Sequence, residues 1–352
     1  MIKISKVIEL LENIAPSQYA ESYDNARLLV GNRENTVSGV LISLDVTDAV
    51  IEEAEKLGCN LIIAHHPIIF SGLKTLTGAT HVERVVIKAI KKDIALYAIH
   101  TNLDNVIYNG VNEKIAQMLS LKNLKILLPK KEMLQATVIF DGEKSAIEFK
   151  NQLQKLFEVD WTSLSTFSTI GVYQDSNSTQ AQINCSFVFP SHLQQALLKV
   201  VSTFQSEKKI SHLVIQPTEL PLATVGSGMI GSLEEPMDTK DVLHSLKKVM
   251  KANCVKHTKI VKKKIQTIAV CGGAGSFLLQ HAIRAGAELF ISSDFKYHEF
   301  FNADNNIVIA DIGHYESEQY TGEIIFDIIS KKFTTFAVYL TEVNTNPIQY
   351  II

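Results

Sequence analysis

At 352 residues the chain is long for one hydrophobic core, so two domains, or one domain carrying a large insert, are expected. Hydrophobic content of 46% with 20% charged residues is that of a globular protein, and a formal charge of -3 gives no general pull toward nucleic acid or an anionic membrane. No apolar run approaches the roughly 20 residues needed to span a bilayer.

In chain order, the opening predicts a folded amphipathic helix rather than a signal peptide: Val7, Leu10, Leu11 and Ile14 share one face, Glu9 and Glu12 the other. A strand over 39–44 and a helix over 47–57 follow, with Thr47 as cap and Asp48 facing the positive end of the dipole. The apolar run 61–64 then ends in His65, His66 and Pro67. Such a run reads as a buried strand delivering its last side chains to the rim of a sheet, where open α/β folds place ligands. Proline forces the chain to turn there. A pair of ordinary surface histidines is the alternative.

After a helix near 82–91, a second apolar run, 94–99, leads into His100, Thr101, Asn102, Leu103, Asp104 and Asn105. A third, 307–310, leads into Asp311, Gly313, His314 and Glu318. Three strand ends therefore carry residues that bind divalent metals, and one sheet edge can gather them. A helix begun after Gly313 would put His314 and Glu318 on one face, at i and i+4.

Between these clusters the texture changes. Residues 131–221 read as strand (135–140), helix (144–157), a hairpin over 169–188 around the polar loop 174–179, helix (191–204) and strand (211–215). That order predicts an inserted ferredoxin-like α+β domain, of the kind seen in PII and CutA proteins, with no cluster of ligand-type side chains. The flanking blocks, 1–130 and 222–352, alternate strand and helix and predict one discontinuous α/β core around a parallel or mixed sheet.

Cys59, Cys185, Cys254 and Cys271 show no C-x-x-C spacing and read as thiols of a reducing cytoplasm. A metal site here is then built of nitrogen and oxygen, which suits zinc, manganese, iron, cobalt or nickel. Gly226 to Gly231 fits G-x-G-x-x-G, but Glu234, Glu235 and Pro236 follow where a dinucleotide site needs a helix. Gly273 and Gly275 are better placed, after a strand and before a helix whose amides could hold a phosphate; a tight packing turn is the alternative. Asp294 and His298, with Lys296 between them, read as groups behind the metals or against substrate, or as a plain solvated helix start, and Asp24 and Asp45 stand similarly. His100 could join the ligands themselves, but is expected to orient them. The basic run 256–264 reads as an edge strand guarded by charge rather than a nucleic-acid site.

The runs Glu21–Asn25, His65–Pro67, His100–Asn105, Gly272–Gly275, Asp294–His298 and Gly313–Glu318 occur in one order, and in that order the chain resembles the Ngg-interacting factor three-like family, the GTP cyclohydrolase 1 type 2 homologues. The resemblance implies two divalent metal ions per chain, held by His65, His66, Asp104, His314 and Glu318 with Glu318 as bridge, and assembly as a homohexamer. It departs from the family at Tyr23, Arg27 and Ser293, which touches substrate detail rather than metal. The function implied is a dinuclear metal-dependent hydrolase acting on a nucleotide-like substrate through metal-bound hydroxide, with opening of the GTP imidazole ring and loss of formate as the family's reaction. His100 or His298 would move protons. A metal-binding regulatory or scaffold protein with little catalysis, and a phosphoesterase, are the alternatives.

Overall fold

The computed structural model describes residues 1–157, 167–175 and 178–351, and the chain divides into two compact units: Met1–Pro129 with Ala223–Ile352, and Lys130–Leu222.

The discontinuous unit is a mixed α/β structure with two sheets, where the sequence suggested one. The five-stranded sheet runs in the order Leu28–Val30, Ala95–Ala98, Leu61–Ala64, Gly39–Ser43, Ala337–Leu340. Its last four strands are parallel, and Ser43, Ala64 and Ala98 lie in register at their carboxyl ends. The run Leu61–Ala64 is wholly buried, as an apolar strand covered on both faces should be. Helices Asp48–Lys56 and His81–Lys91 cover it, each begun by a threonine whose hydroxyl accepts an orphan backbone N–H: Thr47 from Val50, Thr80 from Glu83.

The six-stranded sheet has the order Lys256–His257, Val308–Asp311, Leu289–Ser293, Lys264–Ala274, Leu222–Asp238, Lys122–Lys130. Its three strands from 264 to 311 are parallel, so Ala274, Ser293 and Asp311 also finish at one edge. The two flanks of the sequence are interlaced. The first sheet takes Ala337–Leu340 from the end of the chain, and the second takes Lys122–Lys130 from before the insert.

The G-x-G-x-x-G stretch lies inside the long strand Leu222–Asp238, and the next helix begins only at Thr239, beyond the strand, rather than at the end of the glycines. Its glycines serve close packing instead: a Cβ on Gly226 would sit 2.1 Å from the Leu128 carbonyl oxygen. The basic run is an edge, though its strand covers only Lys256–His257, and Lys256 Nζ lies 2.8 Å from Asp311 Oδ2.

The continuous unit has a four-stranded antiparallel sheet in the order Phe167–Asp175, Ser178–Pro190, Met133–Phe140, Ile210–Pro217, with helices Glu143–Phe157 and Gln194–Ser206. Counted along the chain this is strand order 2-3-1-4, the ferredoxin-like arrangement. Residues 176 and 177 of the expected polar loop lie outside the described residues. Period-two alternation along Met133–Phe140 buries Ala136, Val138 and Phe140 against Phe149, Phe187, Phe189 and Phe204.

Candidate metal centre

The strand Leu61–Ala64 hands over to His65 and His66, whose backbone N–H groups still donate to Ser43 and Leu44 carbonyls, so both imidazoles leave from a fixed rim. The strand Val308–Asp311 delivers Gly313, whose φ of 93° turns the chain sharply into the short helix His314–Glu318. Asp104 sits not on a strand but in a helical turn, Thr101–Asp104, just beyond Ala95–Ala98.

Four imidazoles meet here, and each has its Nδ1 occupied. His65 Nδ1 bonds to the Ile99 carbonyl at 2.8 Å, His66 Nδ1 to Asp45 Oδ1 at 2.7 Å, His100 Nδ1 to Asp24 Oδ1 at 2.8 Å and His314 Nδ1 to Asp294 Oδ2 at 2.6 Å. A carbonyl or carboxylate partner makes Nδ1 the protonated nitrogen, so in the neutral rings every Nε2 presents a lone pair. Those lone pairs converge. His66 Nε2 and His314 Nε2 are 3.3 Å apart, and each lies about 3 Å from Glu318 Oε2 (2.9 and 3.0 Å). On the other side, His65 Nε2 faces Asp104 Oδ1 at 3.5 Å and Glu318 Oε1 at 3.9 Å.

Each Glu318 oxygen thus belongs to a different set of acceptors: His66, His314 and Glu318 in one, His65, Asp104 and Glu318 in the other. A third group joins His65, His66 and His100. His65 Nε2 and Asp104 Oδ1 are buried with no hydrogen-bond partner among the described residues, a costly arrangement for two acceptors aimed at each other unless a cation lies between them. The donor set, nitrogen and oxygen without thiolate, fits divalent transition metals.

Electrostatics agree with a site built for positive charge. Burial, and then the neighbouring Glu318 charge, push the Asp104 carboxyl up. Burial would also raise Glu318, but bonds from His314 and His66 and the nearby His65 imidazole outweigh it and hold that carboxyl well below the ordinary range. For His66 and His314 burial favours the neutral ring, yet bonds to Asp45 or Asp294 and to Glu318 hold them up to about 9 and about 11. The centre is deepest at His65 and Glu318, whose side chains are 0% and 3% exposed, and shallower at Asp104, His66 and His314, at 20%, 22% and 36%.

Asp24, Asp45 and Asp294 therefore all stand behind imidazoles. Burial opposes ionisation of Asp24, but hydrogen bonds from His100 and Thr101 bring it down to about 2. Gly273 plays a part other than the suggested one. Its amide already donates to Ser317 Oγ at 2.9 Å, and at φ 61° a Cβ would sit 2.4 Å from Glu318 Oε1. It is needed for close approach to the carboxylate, not for a phosphate. At Gly275 a Cβ would meet Ser292 Oγ at 2.4 Å, and only the turn Ser276–Leu278 and the six-residue helix Leu279–Arg284 follow, so the tight-packing alternative holds there. His298 does not join the cluster. Asp294 has φ 58° and the 3-10 helix starts only at Tyr297, which leaves His298 exposed with its ring against Tyr297 and Phe301. Lys296 is exposed before that helix, its N–H donating to Glu299 Oε2 at 2.8 Å.

Sequence reasoning missed the groups that hold this frame. Asn112 donates from Nδ2 to the Asp104 carbonyl and accepts from the Gly272 N–H, both at 2.9 Å, tying the Asp104 turn to the second sheet. Thr345 Oγ1 donates to Asp45 Oδ2 at 2.7 Å. Glu83 accepts from Thr75 and from the Thr77, Gly78 and Ala79 backbone N–H groups, pinning the loop that leaves His66, and these bonds draw it down to about 2.

Known proteins share this fold. The family model described as Duf34/NIF3 (NGG1p interacting factor 3) matches residues 2–347. A Staphylococcus epidermidis protein named GTP cyclohydrolase 1 type 2 homolog is 29% identical, over 99% of this chain and 100% of its own length. A Halalkalibacterium halodurans protein of the same name is 30% identical, over 98% of each. The crystal structure of a Bacillus cereus protein related to NIF3 superposes with a TM-score of 0.80 at 27% identity, over 99% of each chain. Reduced HcgD from Methanocaldococcus jannaschii, at 19% identity and a TM-score of 0.60, has the same fold. With a match that spans both flanks of the sequence and the insert between them, the chain belongs to the Duf34/NIF3 family.

Proposed function

We propose that the chain is a dinuclear metal-dependent hydrolase acting on a nucleotide-like substrate. The observation that carries this reading is the placing of the two Glu318 oxygens, each facing its own pair of inward acceptors. His65 and Asp104 would hold one cation with Oε1, and His66 and His314 the other with Oε2. When bound, two divalent ions supply a Lewis acid and bring water within reach of ionisation near neutral pH. Asp45 and Asp294 fix the tautomer and ring plane of His66 and His314, keeping both Nε2 lone pairs inward. His100 stands outside the two sets, its ring 5.3 Å from His65 and 5.4 Å from His66. With Nδ1 held by Asp24, it is suited to take and return a proton at Nε2. His298, turned away among aromatics, has no part in this scheme.

The name shared by the relatives, GTP cyclohydrolase 1 type 2 homolog, supports opening of a purine imidazole ring with release of formate as the reaction. Assembly as a homohexamer belongs to the same proposal. The test is the full chain reconstituted with zinc, manganese, iron, cobalt or nickel, incubated with a panel of nucleotides while formate and phosphate are followed separately. Formate from GTP is the expected result. Phosphate instead would make the protein a phosphoesterase, and a loaded protein inert to the whole panel would make it a metal-binding regulator or scaffold.

A further inference from the structure

Beyond the strand Ala337–Leu340 the described residues, to 351, have no regular secondary structure, yet they reach back to the carboxylates behind the more exposed half of the centre. It is first fastened to the helix Asp48–Lys56: Thr341 Oγ1 bonds to Glu53 Oε2, and the Glu342 N–H donates to Glu53 Oε1 at 2.8 Å. Val343 packs on the apolar cluster containing Leu41, Ile62 and Ala64. Thr345 then donates to Asp45 Oδ2, whose other oxygen holds His66. Asn346 Nδ2 donates to Glu316 Oε1 at 3.3 Å, and Glu316 is buried in the short helix between His314 and Glu318. The Tyr350 hydroxyl flanks the same turn, since a Cβ on Gly313 would lie 2.2 Å from Glu316 Oε2 and 3.4 Å from Tyr350 Oη.

We propose that Thr341 to Tyr350 form a strap that positions the His66 and His314 half of the centre, with Thr345 and Asn346 as its positioning residues, so that cation affinity in this half depends on the C-terminal segment. A carboxylate gripped at one oxygen can still turn about its own side chain, and His66 would turn with it. Thr345 grips the second oxygen and removes that freedom. Asn346 does the same, through Glu316, for the start of the helical turn where His314 stands. The other half has different supports: His65 rests on the Ile99 carbonyl, and the Asp104 turn on Asn112. Loss of the strap should therefore be felt on one side of Glu318 and not on the other.

The inference rests on the dinuclear reading, and the experiment separates the two. Full-length, metal-free protein is titrated with cobalt(II) or zinc against a chromophoric chelator, alongside Thr345→Val, Thr345→Ser and Asn346→Leu. Removing a partner that orients a ligand from outside usually costs 10- to 100-fold in affinity. Thr345→Val should thus weaken one of two sites by about that factor, leave the other and the melting temperature of the metal-free protein in place, and be rescued by Thr345→Ser. Asn346→Leu should weaken the same site, and it carries the test if Thr345→Val does not fold. Two sites unchanged in folded variants, or weakened equally, would overturn the strap alone. An unsubstituted chain that binds fewer than two ions would overturn the dinuclear reading, and the strap with it.

Discussion

The two compact units are made from the same materials, sheets covered by helices, and differ in what lies where the strands stop. In the ferredoxin-like unit the strands bury aromatic side chains: Phe149 has Phe140 at 5.1 Å and Phe204 at 5.2 Å, centroid to centroid. In the discontinuous unit, strands ending at Ala64 and Asp311 turn from aliphatic side chains to imidazoles and carboxylates within one or a few residues. A packed core needs only shape and burial, whereas a cation site needs unpaired acceptors held together against their mutual repulsion. His65 Nε2 and Asp104 Oδ1, buried, aimed at each other and without a partner among the described residues, fit the second case.

The contrast is broken most severely at Glu318, the one residue shared by both acceptor sets. Glu318→Ala should abolish high-affinity binding of both ions and lower turnover by orders of magnitude, while His81→Ala, at the start of its helix, changes neither. Elemental analysis of purified variants decides it, and an unaltered metal complement in Glu318→Ala would remove the bridge. In the insert the matching change is Phe149→Ala. It should cost about 3–5 kcal/mol of that unit's stability and leave metal content alone, as read by denaturant unfolding beside metal analysis.

Acidity separates the units next. With burial overcome by Asp45, Asp294 and Glu318, folded His66 and His314 keep their protons up to about 9 and about 11, whereas an unfolded imidazole lets go near 6.5. This stabilisation is complete below the unfolded value and is lost as pH rises through the folded ones. Asp104, held up by burial and by Glu318, acts in the same direction. The melting temperature of the metal-free protein should therefore fall from about pH 7 to about pH 10, while metal affinity climbs as cations displace those protons. Calorimetry with and without chelator measures both; a metal-free midpoint that holds steady over that interval would contradict the charged-imidazole picture.

The smallest effect on metal content is expected from removing the insert altogether. The chain leaves the discontinuous unit along Lys122–Lys130 and returns along the neighbouring strand Leu222–Asp238, where Gly226 packs against Leu128 and Pro129. A short Gly/Ser linker can therefore replace residues 131–221, since loop closure costs only a slowly growing entropy term. The shortened protein should still bind about two ions. A folded deletion variant without metal would show that the units are not independent.

What the sequence revealed follows the same line. His65, His66, His314 and Glu318 were legible because an apolar run broken by ligand-type residues marks a strand end, and i, i+4 spacing needs only a helix. Asp104 was legible as a residue but not as part of a helical turn. His298 misled because the same spacing was assumed from Asp294, whose left-handed backbone starts no α-helix. The strand Leu222–Asp238 was hidden by its glycines, which look like loop until the neighbouring strand is in place. Thr345, Asn112 and Ser317 gave no signal, since nothing local tells a threonine 300 residues away from Asp45 that it will touch it.

The uneven depth of the centre has a consequence in time. A cation beside His65 and Asp104 would rest against a fully buried imidazole and a carboxylate 20% exposed, and one beside His314 would face solvent through a side chain more than a third exposed. Closed positions keep their ion, and open ones admit water and substrate. The two ions would thus have separate residence times, the inner a long-lived tenant that holds Glu318 in place, the outer a visitor that trades with the surroundings. Starvation for metal would then empty the protein in order, and a half-filled state would be a stable stage rather than a passing one.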